Sequence, residues 1–202
     1  SARCVVSLNK AIDSLAAGVE LAKPTTAVKP NPSAIALAAA DTATVDEYEE
    51  LLSQWCATTE ALLAEGDAPA TASAGDVGPR SELEGWRTRM SKLNSIIDQL
   101  KSEENRTLLQ VLQASKSRLL KRWKAADNGI TDAANEAKDN VKYLLTLDKY
   151  IEPLYTGTPA TILETLSGLL NNIRMMHTIA RYCSTTQRMT NLFRKITDQM
   201  IV

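Results

Sequence analysis

Side chains suited to packing recur at alternating spacings of three and four residues in several separate runs of this chain, which is the period of one face of an α-helix. The clearest run consists of Val45, Tyr48, Leu52, Trp55, Thr59 and Leu62. A second run, after Pro79, consists of Leu83, Trp86, Met90, Leu93, Ile97 and Leu100. Aromatic residues make up only 4% of the chain, whereas strong helix formers are abundant. The sequence therefore predicts an all-α protein of antiparallel helical bundles.

The periodic runs predict seven helices, separated by proline, glycine and capping residues. Ser81 and Glu84 are predicted to form a capping box after Pro79. Thr158 and Pro159 are predicted to begin a helix whose wide apolar stripe is typical of a central position in a bundle. The predicted helices cover residues 4–22, 45–65, 80–100, 103–126, 132–151, 158–180 and 184 onward.

Two segments rich in small residues and proline divide these helices. Residues 23–43 predict a linker in which an alanine-rich stretch forms at most a short turn of helix. Residues 66–79 predict a mobile loop. We therefore predict N-terminal helices with linkers over residues 1–79 and a helical bundle over residues 80–202. Because the sequence stops within an apolar-periodic segment, we expect this bundle to be truncated at its C-terminal end.

The net charge of −1 hides an uneven distribution. Residues 1–79 carry 4 basic and 11 acidic side chains, whereas residues 80–202 carry 19 basic and 13 acidic ones. The basic side chains of the second part are spread along predicted helices, and their densest run is KRWK (121–124). We interpret that run as a solvated helix C-terminus, where cations suit the helix dipole. No nucleic-acid partner is predicted, since such a partner favours a concentrated basic patch.

Residues with catalytic or metal-binding potential are few and isolated. His177 is the single histidine, and its position on an apolar stripe predicts an ordinary core or interface residue. Cys4, Cys56 and Cys183 lack metal-ligand spacing and are expected to be small buried residues in a reducing compartment. The chain has no Gly-Lys pair for a phosphate-binding loop. We predict no enzyme activity, catalytic residue, metal or cofactor for this segment, and no membrane span or signal peptide.

The bulkiest side chains are the candidate interaction residues. Trp55, Trp86 and Trp123 fall at core-facing positions of three different predicted helices, so core packing is the simpler interpretation of each. A tryptophan that is partly exposed would instead be an anchor for a partner helix. His177 and Phe193, on the last two predicted helices, complete this set of candidate core or partner-contact residues.

Three stretches after residue 80 resemble the N-terminal tail region of dynein heavy chains, most closely the axonemal outer-arm type. The first is ELEGWRTRMSKLNSI (82–96), which resembles the family's opening E-x-x-x-W-x-x-R-x-x-x-L-x-x-I helix. The second combines ITDAANEAKDNVKYL (130–144) with YIEPLY (150–155). The third is IRMMHTIARYCSTTQRMTNLFRKITDQMI (173–201). Residues 1–79 carry no comparable match and share the resemblance by adjacency alone.

The resemblance implies a non-catalytic segment of an extended tail. In this family the ATPase ring and the microtubule-binding stalk lie far C-terminal, so the whole chain would be an ATP-driven microtubule motor. The tail is expected to associate with other dynein heavy chains and to bind WD-repeat intermediate chains and light chains. Through that complex it would anchor the motor to the axonemal doublet microtubule in the outer arm, in the cytoplasm and cytoskeleton of a cilium or flagellum.

Two other classes are compatible with the residues taken alone. An independent helical adaptor or scaffold of the vinculin or spectrin type would share the helical pattern but would not associate with dynein components. A helical-bundle enzyme or ligand carrier would instead contain a deep pocket lined by converging polar groups. The packing of residues 1–79 on the later helices is also open at this stage, although the opposite charges of the two parts would favour it.

Overall fold

The computed structural model describes residues 19–65, 78–182 and 184–201, and these ranges form seven α-helices and no β-strand. In chain order the helices are α1 (Pro32–Ala40), α2 (Thr42–Ala64), α3 (Pro79–Leu100), α4 (Glu103–Ala114), α5 (Leu120–Thr156), α6 (Pro159–Ile179) and α7 (Thr186–Ile201). The predicted all-α class is therefore confirmed.

The chain divides into two compact units, and each has its own core. Among the described residues, unit 1 comprises 19–65 and 91–133, and unit 2 comprises 78–90, 134–182 and 184–201. Within unit 1, described residues before 66 pack on helices that follow residue 90, so part of the N-terminal segment does dock on later helices. The division at residue 79 is a matter of sequence pattern and stays a prediction.

The core of unit 1 is built on the periodic face of α2. In the predicted run from Val45 to Leu62, every side chain except that of Val45 is buried, which confirms the helical period of this segment. The buried side chains are Tyr48, Leu52, Trp55, Thr59 and Leu62 of α2, Leu93 and Ile96 of α3, and Leu108, Val111 and Leu112 of α4. Each large apolar side chain among them contributes about 1.5–3 kcal/mol by leaving water.

The linker between residues 23 and 43 contains more helix than the sequence predicts. Helix α1 is 9 residues long, and the Oδ1 atom of Asn31 caps it by accepting a 2.7 Å hydrogen bond from the Ala34 N–H. Pro32 lies in its first turn, where a missing N–H costs nothing. Asp41 then separates α1 from α2 and caps α2 in the same way, with a 3.2 Å bond from the Thr44 N–H.

The predicted capping box at Ser81 and Glu84 is wrong. Helix α3 already begins at Pro79, whose fixed φ suits a first helical position. Ser81 therefore lies inside the first turn, and its hydroxyl donates a 2.7 Å hydrogen bond to the Gly78 carbonyl oxygen. Glu84 pairs instead with Arg87, one turn further along the helix.

The predicted helices over residues 103–126 and 132–151 have the wrong boundaries. The chain breaks at residues 115–119, where Lys116 has φ of 58°, and then forms a single 37-residue helix, α5. Gly129, which lies between these two predicted helices, is inside α5, and a Cβ there would be 2.9 Å from Cδ1 of Leu63. The glycine therefore permits close approach of α5 and α2. Pro153 lies in the last turn of α5 and has no N–H to donate to the carbonyl oxygen of Lys149, so that turn lacks one backbone hydrogen bond.

The core of unit 2 combines the second half of α5 with α6 and α7. Its buried side chains include Val141, Leu144, Leu147, Ile151 and Leu154 of α5, Leu169, Ile173 and Met176 of α6, and Met189, Leu192 and Ile196 of α7. The Thr158 and Pro159 start of α6 is confirmed, since the Thr158 hydroxyl caps it.

The central position predicted for α6 is wrong within the described part of the chain. Only a narrow part of its apolar stripe is buried, whereas Leu163 is 69% exposed and Ile179 is 56% exposed. A wide apolar stripe shows that a helix carries much apolar surface. It does not show which other helices pack on that surface, so it does not by itself predict a central position.

Two other predictions concern residues that the structure describes only in part. The predicted helix over residues 4–22 falls mostly outside the described residues, and its last four residues, 19–22, are not helical. Of the loop predicted over residues 66–79, residues 66–77 lie outside the described residues, as do Cys4 and Cys183. Cys56 is buried in unit 1, and this burial raises the pKa of its thiol.

Candidate interaction site

Trp55 and Trp123 form an aromatic pair in the core of unit 1. Their ring centroids are 6.0 Å apart and the ring planes meet at 63°, an edge-to-face arrangement favoured by the quadrupoles of the two rings. Trp55 is fully buried, and Trp123 is 7% exposed. Both side chains therefore pack inside unit 1 and present little surface to a partner.

A segment that we call the strap, residues 19–29, lies over this core without helical structure. The side-chain amide of Gln99 holds its first part, since Oε1 accepts from the Leu21 N–H at 2.8 Å and Nε2 donates to the Val19 carbonyl oxygen at 2.6 Å. The Trp55 Nε1–H donates to the Ala22 carbonyl oxygen at 2.7 Å. The strap thus satisfies its backbone with side chains of α2 and α3.

The second part of the strap is clasped by Glu47. Its carboxylate accepts hydrogen bonds from the hydroxyls and backbone N–H groups of both Thr25 and Thr26. The hydroxyls of Thr25 and Thr26 contribute most, and together these bonds lower the pKa of Glu47 from 4.5 to about 2. The next residue, Tyr48, donates its phenol O–H to the Thr26 carbonyl oxygen at 2.7 Å. A single turn of α2 therefore fixes the second part of the strap.

The run KRWK (121–124) is not a helix C-terminus. It lies at the start of α5, where the dipole disfavours cations, so that interpretation is wrong. Arg122 instead forms a two-pronged ion pair with Glu60 of α2, with nitrogen–oxygen distances of 2.8 and 2.6 Å. The hydrogen bond from Arg122 lowers the pKa of Glu60. The indole of Trp123 points into the core, so the run joins two helices of unit 1.

Trp86 of α3 lies at the floor of a groove of about 780 Å³ in unit 2. The indole is only 6% exposed, and the Arg188 guanidinium lies 5.0 Å from its ring centroid, a cation–π contact. Arg188 also pairs with Glu136 of α5. Lys195 pairs with Glu82 at 2.8 Å, with both side chains about 85% buried (15% and 16% exposed). These contacts bind α3, α5 and α7 together around the groove.

The charge of the groove is predominantly positive. Arg181, Arg188, Arg194 and Lys195 line it together with only two acidic side chains, Glu82 and Glu136. The interpretation of the basic residues as spread along separate helices is wrong for these four side chains. Arg188 and Lys195 are seven residues apart, about two turns, and therefore lie on one face of α7.

His177 and Phe193 are the two accessible members of the predicted set. His177 is exposed and follows Leu163 and Leu170 at seven-residue spacing, so the three lie along one face of α6. Leu170 is 39% exposed. On α7, Phe193 and Met200 have the same spacing and are each 39% exposed. Two apolar strips therefore lie on the surface of unit 2.

The described residues contain no group of three or more His, Cys, Asp or Glu side chains arranged to hold a metal ion. None of the helices within these ranges has the length and apolar character needed to cross a membrane. Neither the strap nor the groove was predicted from the sequence. The one signal in the sequence is the high density of hydrogen-bonding side chains around residues 23–26 and 181–195. That density does not predict which residues these side chains contact.

These features define a helical-bundle protein whose prominent surface elements are apolar strips and a charged groove. Its residues 45–202 match the family model described as dynein heavy chain, N-terminal region 1. The chain is 47% identical over 170 residues, 84% of its length, to the dynein gamma chain of the flagellar outer arm of Chlamydomonas reinhardtii. It is 48% identical over 158 residues, 78% of its length, to dynein axonemal heavy chain 5 of Rattus norvegicus.

A third relative, dynein axonemal heavy chain 8 of Homo sapiens, is 42% identical over 167 residues, 83% of this chain. The matched segment is 4% of the length of each of these three relatives. The chain belongs to the dynein heavy chain family, and the matched part is the N-terminal region of axonemal heavy chains. The family predicted from the three sequence stretches is confirmed.

Proposed function

We propose that this chain is a non-catalytic segment of an axonemal dynein heavy chain tail that mediates association between heavy chains and binds intermediate and light chains. It would thereby help anchor the motor in the outer arm of a cilium or flagellum, attached to the doublet microtubule through the assembled complex. The ATP-driven motor activity would reside elsewhere in the full-length heavy chain. Residues 80–202 would form the tail bundle proper, and residues 1–79 would precede it as helices with linkers.

The observation that carries this proposal is the apolar strip on α6. Leu163 and Leu170 lie two turns apart on one face and are 69% and 39% exposed, although a neighbouring stripe of the same helix is buried. A helix with apolar residues on so wide an arc favours packing on both sides. Exposed apolar surface of this kind is typical of protein–protein contact sites. Association with another dynein subunit would cover it.

Co-precipitation from axonemal extract tests the proposal. The tagged chain is expected to capture a dynein heavy chain or a WD-repeat intermediate chain, each identified by immunoblot. The double variant Leu163→Gln/Leu170→Gln should reduce that capture by about tenfold or more, because apolar contacts at the centre of an interface carry most of its energy. Both side chains are exposed, so thermal unfolding should change little.

The matched control is Leu37→Gln, since Leu37 is an exposed leucine of α1 in unit 1. This variant should retain full capture. Equal capture by the double variant and the unmodified chain would refute a role for the α6 strip, and capture of neither dynein subunit by the unmodified chain would refute the function itself.

A further inference from the structure

We infer that the groove of unit 2 binds an acidic peptide segment of a protein partner. The volume of about 780 Å³ lies in the range of sites that enclose a ligand rather than a single ion. Its lining combines basic side chains with the Trp86 indole and several neutral polar groups. That combination suits carboxylates attached to a short stretch of polypeptide.

The charge that a ligand would meet comes from two arginines. Glu82 and Glu136 are each paired, with Lys195 and Arg188, so these four charges largely compensate one another within the groove. The remaining basic side chains are Arg181 and Arg194, which are exposed and form no ion pair within the described ranges. The groove therefore carries two cations available for an anionic partner.

The position of Arg181 favours recognition of carboxylates. Its guanidinium lies 5.4 Å from the ring centroid of Tyr182, and the Tyr182 backbone N–H is fixed by a 3.0 Å hydrogen bond to Oδ2 of Asp139. A stacked guanidinium retains its N–H donors for a carboxylate and loses less side-chain freedom on binding. Arg194, two turns beyond Gln187 on α7, provides a second attachment point.

A peptide fits these observations better than a nucleic acid does. Binding to a phosphate backbone is dominated by many basic contacts, one for each neutralised phosphate. Here only two of the lining cations, Arg181 and Arg194, lie outside the ion pairs, which is too few to follow a phosphate backbone. The inference rests on the proposed function in one respect, namely that the partner is a protein subunit.

The test measures fluorescence anisotropy of a labelled acidic peptide, Gly-Glu-Glu-Phe-Glu-Glu-Gly, titrated with the whole 202-residue chain. Its neutral counterpart has glutamine in place of each glutamate, and a short thymidine oligonucleotide serves as the phosphate probe. We expect the acidic peptide to bind more tightly than both other probes, and its affinity to fall as salt screens the charges.

Arg181→Ala and Arg194→Ala should each weaken peptide binding by about tenfold, the loss expected for one charge-assisted hydrogen bond. Arg174→Ala is the matched control, because Arg174 is an exposed arginine of α6 that does not line the groove. The Arg174→Ala variant should bind the acidic peptide as tightly as the unmodified chain does. All three side chains are exposed, so folding should be preserved, and circular dichroism checks this.

Equal binding of the acidic and neutral peptides, tighter binding of the oligonucleotide, or unchanged affinity in both groove variants would each overturn the inference. If the acidic peptide fails to bind while the chain still captures dynein subunits, the groove inference fails and the proposed function stands. If the peptide binds as expected but no dynein subunit is captured, the proposed function fails while the groove's preference for acidic peptides stands.

Discussion

The indole N–H of Trp55 donates a 2.7 Å hydrogen bond to the carbonyl oxygen of Ala22, 33 residues earlier in the chain. Trp55 is fully buried, so this bond joins the centre of the core to the strap that covers it. A buried donor without a partner is costly, and the strap carbonyl supplies that partner. The same residue therefore supplies apolar packing to unit 1 and fixes the path of residues before α1.

Replacing Trp55 with phenylalanine should destabilise the chain more than the same change at Trp123. Both changes reduce the aromatic volume of the core, but only Trp55→Phe also leaves the Ala22 carbonyl without its indole donor. The extra loss should be about 1–3 kcal/mol in the free energy of unfolding. Urea denaturation followed by circular dichroism measures both variants. Equal losses would show that the hydrogen bond contributes nothing.

The hydrogen bonds from Thr25 and Thr26 to the Glu47 carboxylate should make the free energy of unfolding depend on pH in the acidic range. The pKa of Glu47 is about 2 in the folded chain against 4.5 as the ordinary value, so the folded state favours the ionised carboxylate. That contribution is fully present above pH 4.5 and is lost as the pH falls from there toward 2. Because the clasp lies at the surface, screening keeps its size below about 1 kcal/mol.

Urea midpoints of the unmodified chain and of Glu47→Gln, measured at neutral pH and near pH 3, test this dependence. At neutral pH the unmodified chain should have a higher urea midpoint than Glu47→Gln. This difference in urea midpoint should be smaller near pH 3. Asp46→Asn removes one carboxylate at the adjacent exposed position and should show no such narrowing. If the difference in urea midpoint between the unmodified chain and Glu47→Gln stays constant with pH, the charge of Glu47 does not contribute to stability as proposed.

Gly129 should accept alanine but not leucine. A Cβ at this position would be 2.9 Å from Cδ1 of Leu63, the mobile end of a flexible side chain that can move aside. Alanine also raises helix propensity by about 1 kcal/mol, so Gly129→Ala should be close to neutral or stabilising. Gly129→Leu would force α5 away from α2 and should cost about 1–3 kcal/mol. Thermal unfolding distinguishes the two variants, and a severe loss with alanine would be inconsistent with this packing.

Two positions of α6 should respond oppositely to truncation. Ile173 is 2% exposed and Leu163 is 69% exposed. Ile173→Ala should reduce the free energy of unfolding by about 2–5 kcal/mol because it leaves a cavity. Leu163→Ala should change it by less than about 0.5 kcal/mol, as a surface substitution does. A large loss at Leu163 would mean that its side chain packs in the core of unit 2.

Periodicity predicted the helices best where one regular stripe is also the buried stripe. The run from Tyr48 to Leu62 has that property, and Thr158 with Pro159 marks a helix start with side chains that act locally. Local chemistry of this kind can be interpreted from sequence because the partner atoms lie within four residues.

The same reasoning failed where distant contacts determine the outcome. Gly129 resembles a terminator, but its close approach to Leu63 depends on a helix more than 60 residues away. The break at residues 115–119 contains no proline or glycine, and Lys116 adopts the left-handed conformation there. The groove could not be predicted either, since Arg181 and Trp86 are brought together only by packing in unit 2.

The strap is held by four side chains rather than by a backbone ladder, and this has a consequence for local unfolding. A segment held by so few hydrogen bonds can separate from its anchors while they stay in place, so residues 19–29 should open at a lower free energy than the helices beneath them. Amide hydrogens of Leu21, Thr25 and Thr26 would then exchange with solvent while those of α2 remain protected. The strap could then open while the core beneath it stays folded, and the polar groups of Trp55, Gln99, Glu47 and Tyr48 would bond to water in its place.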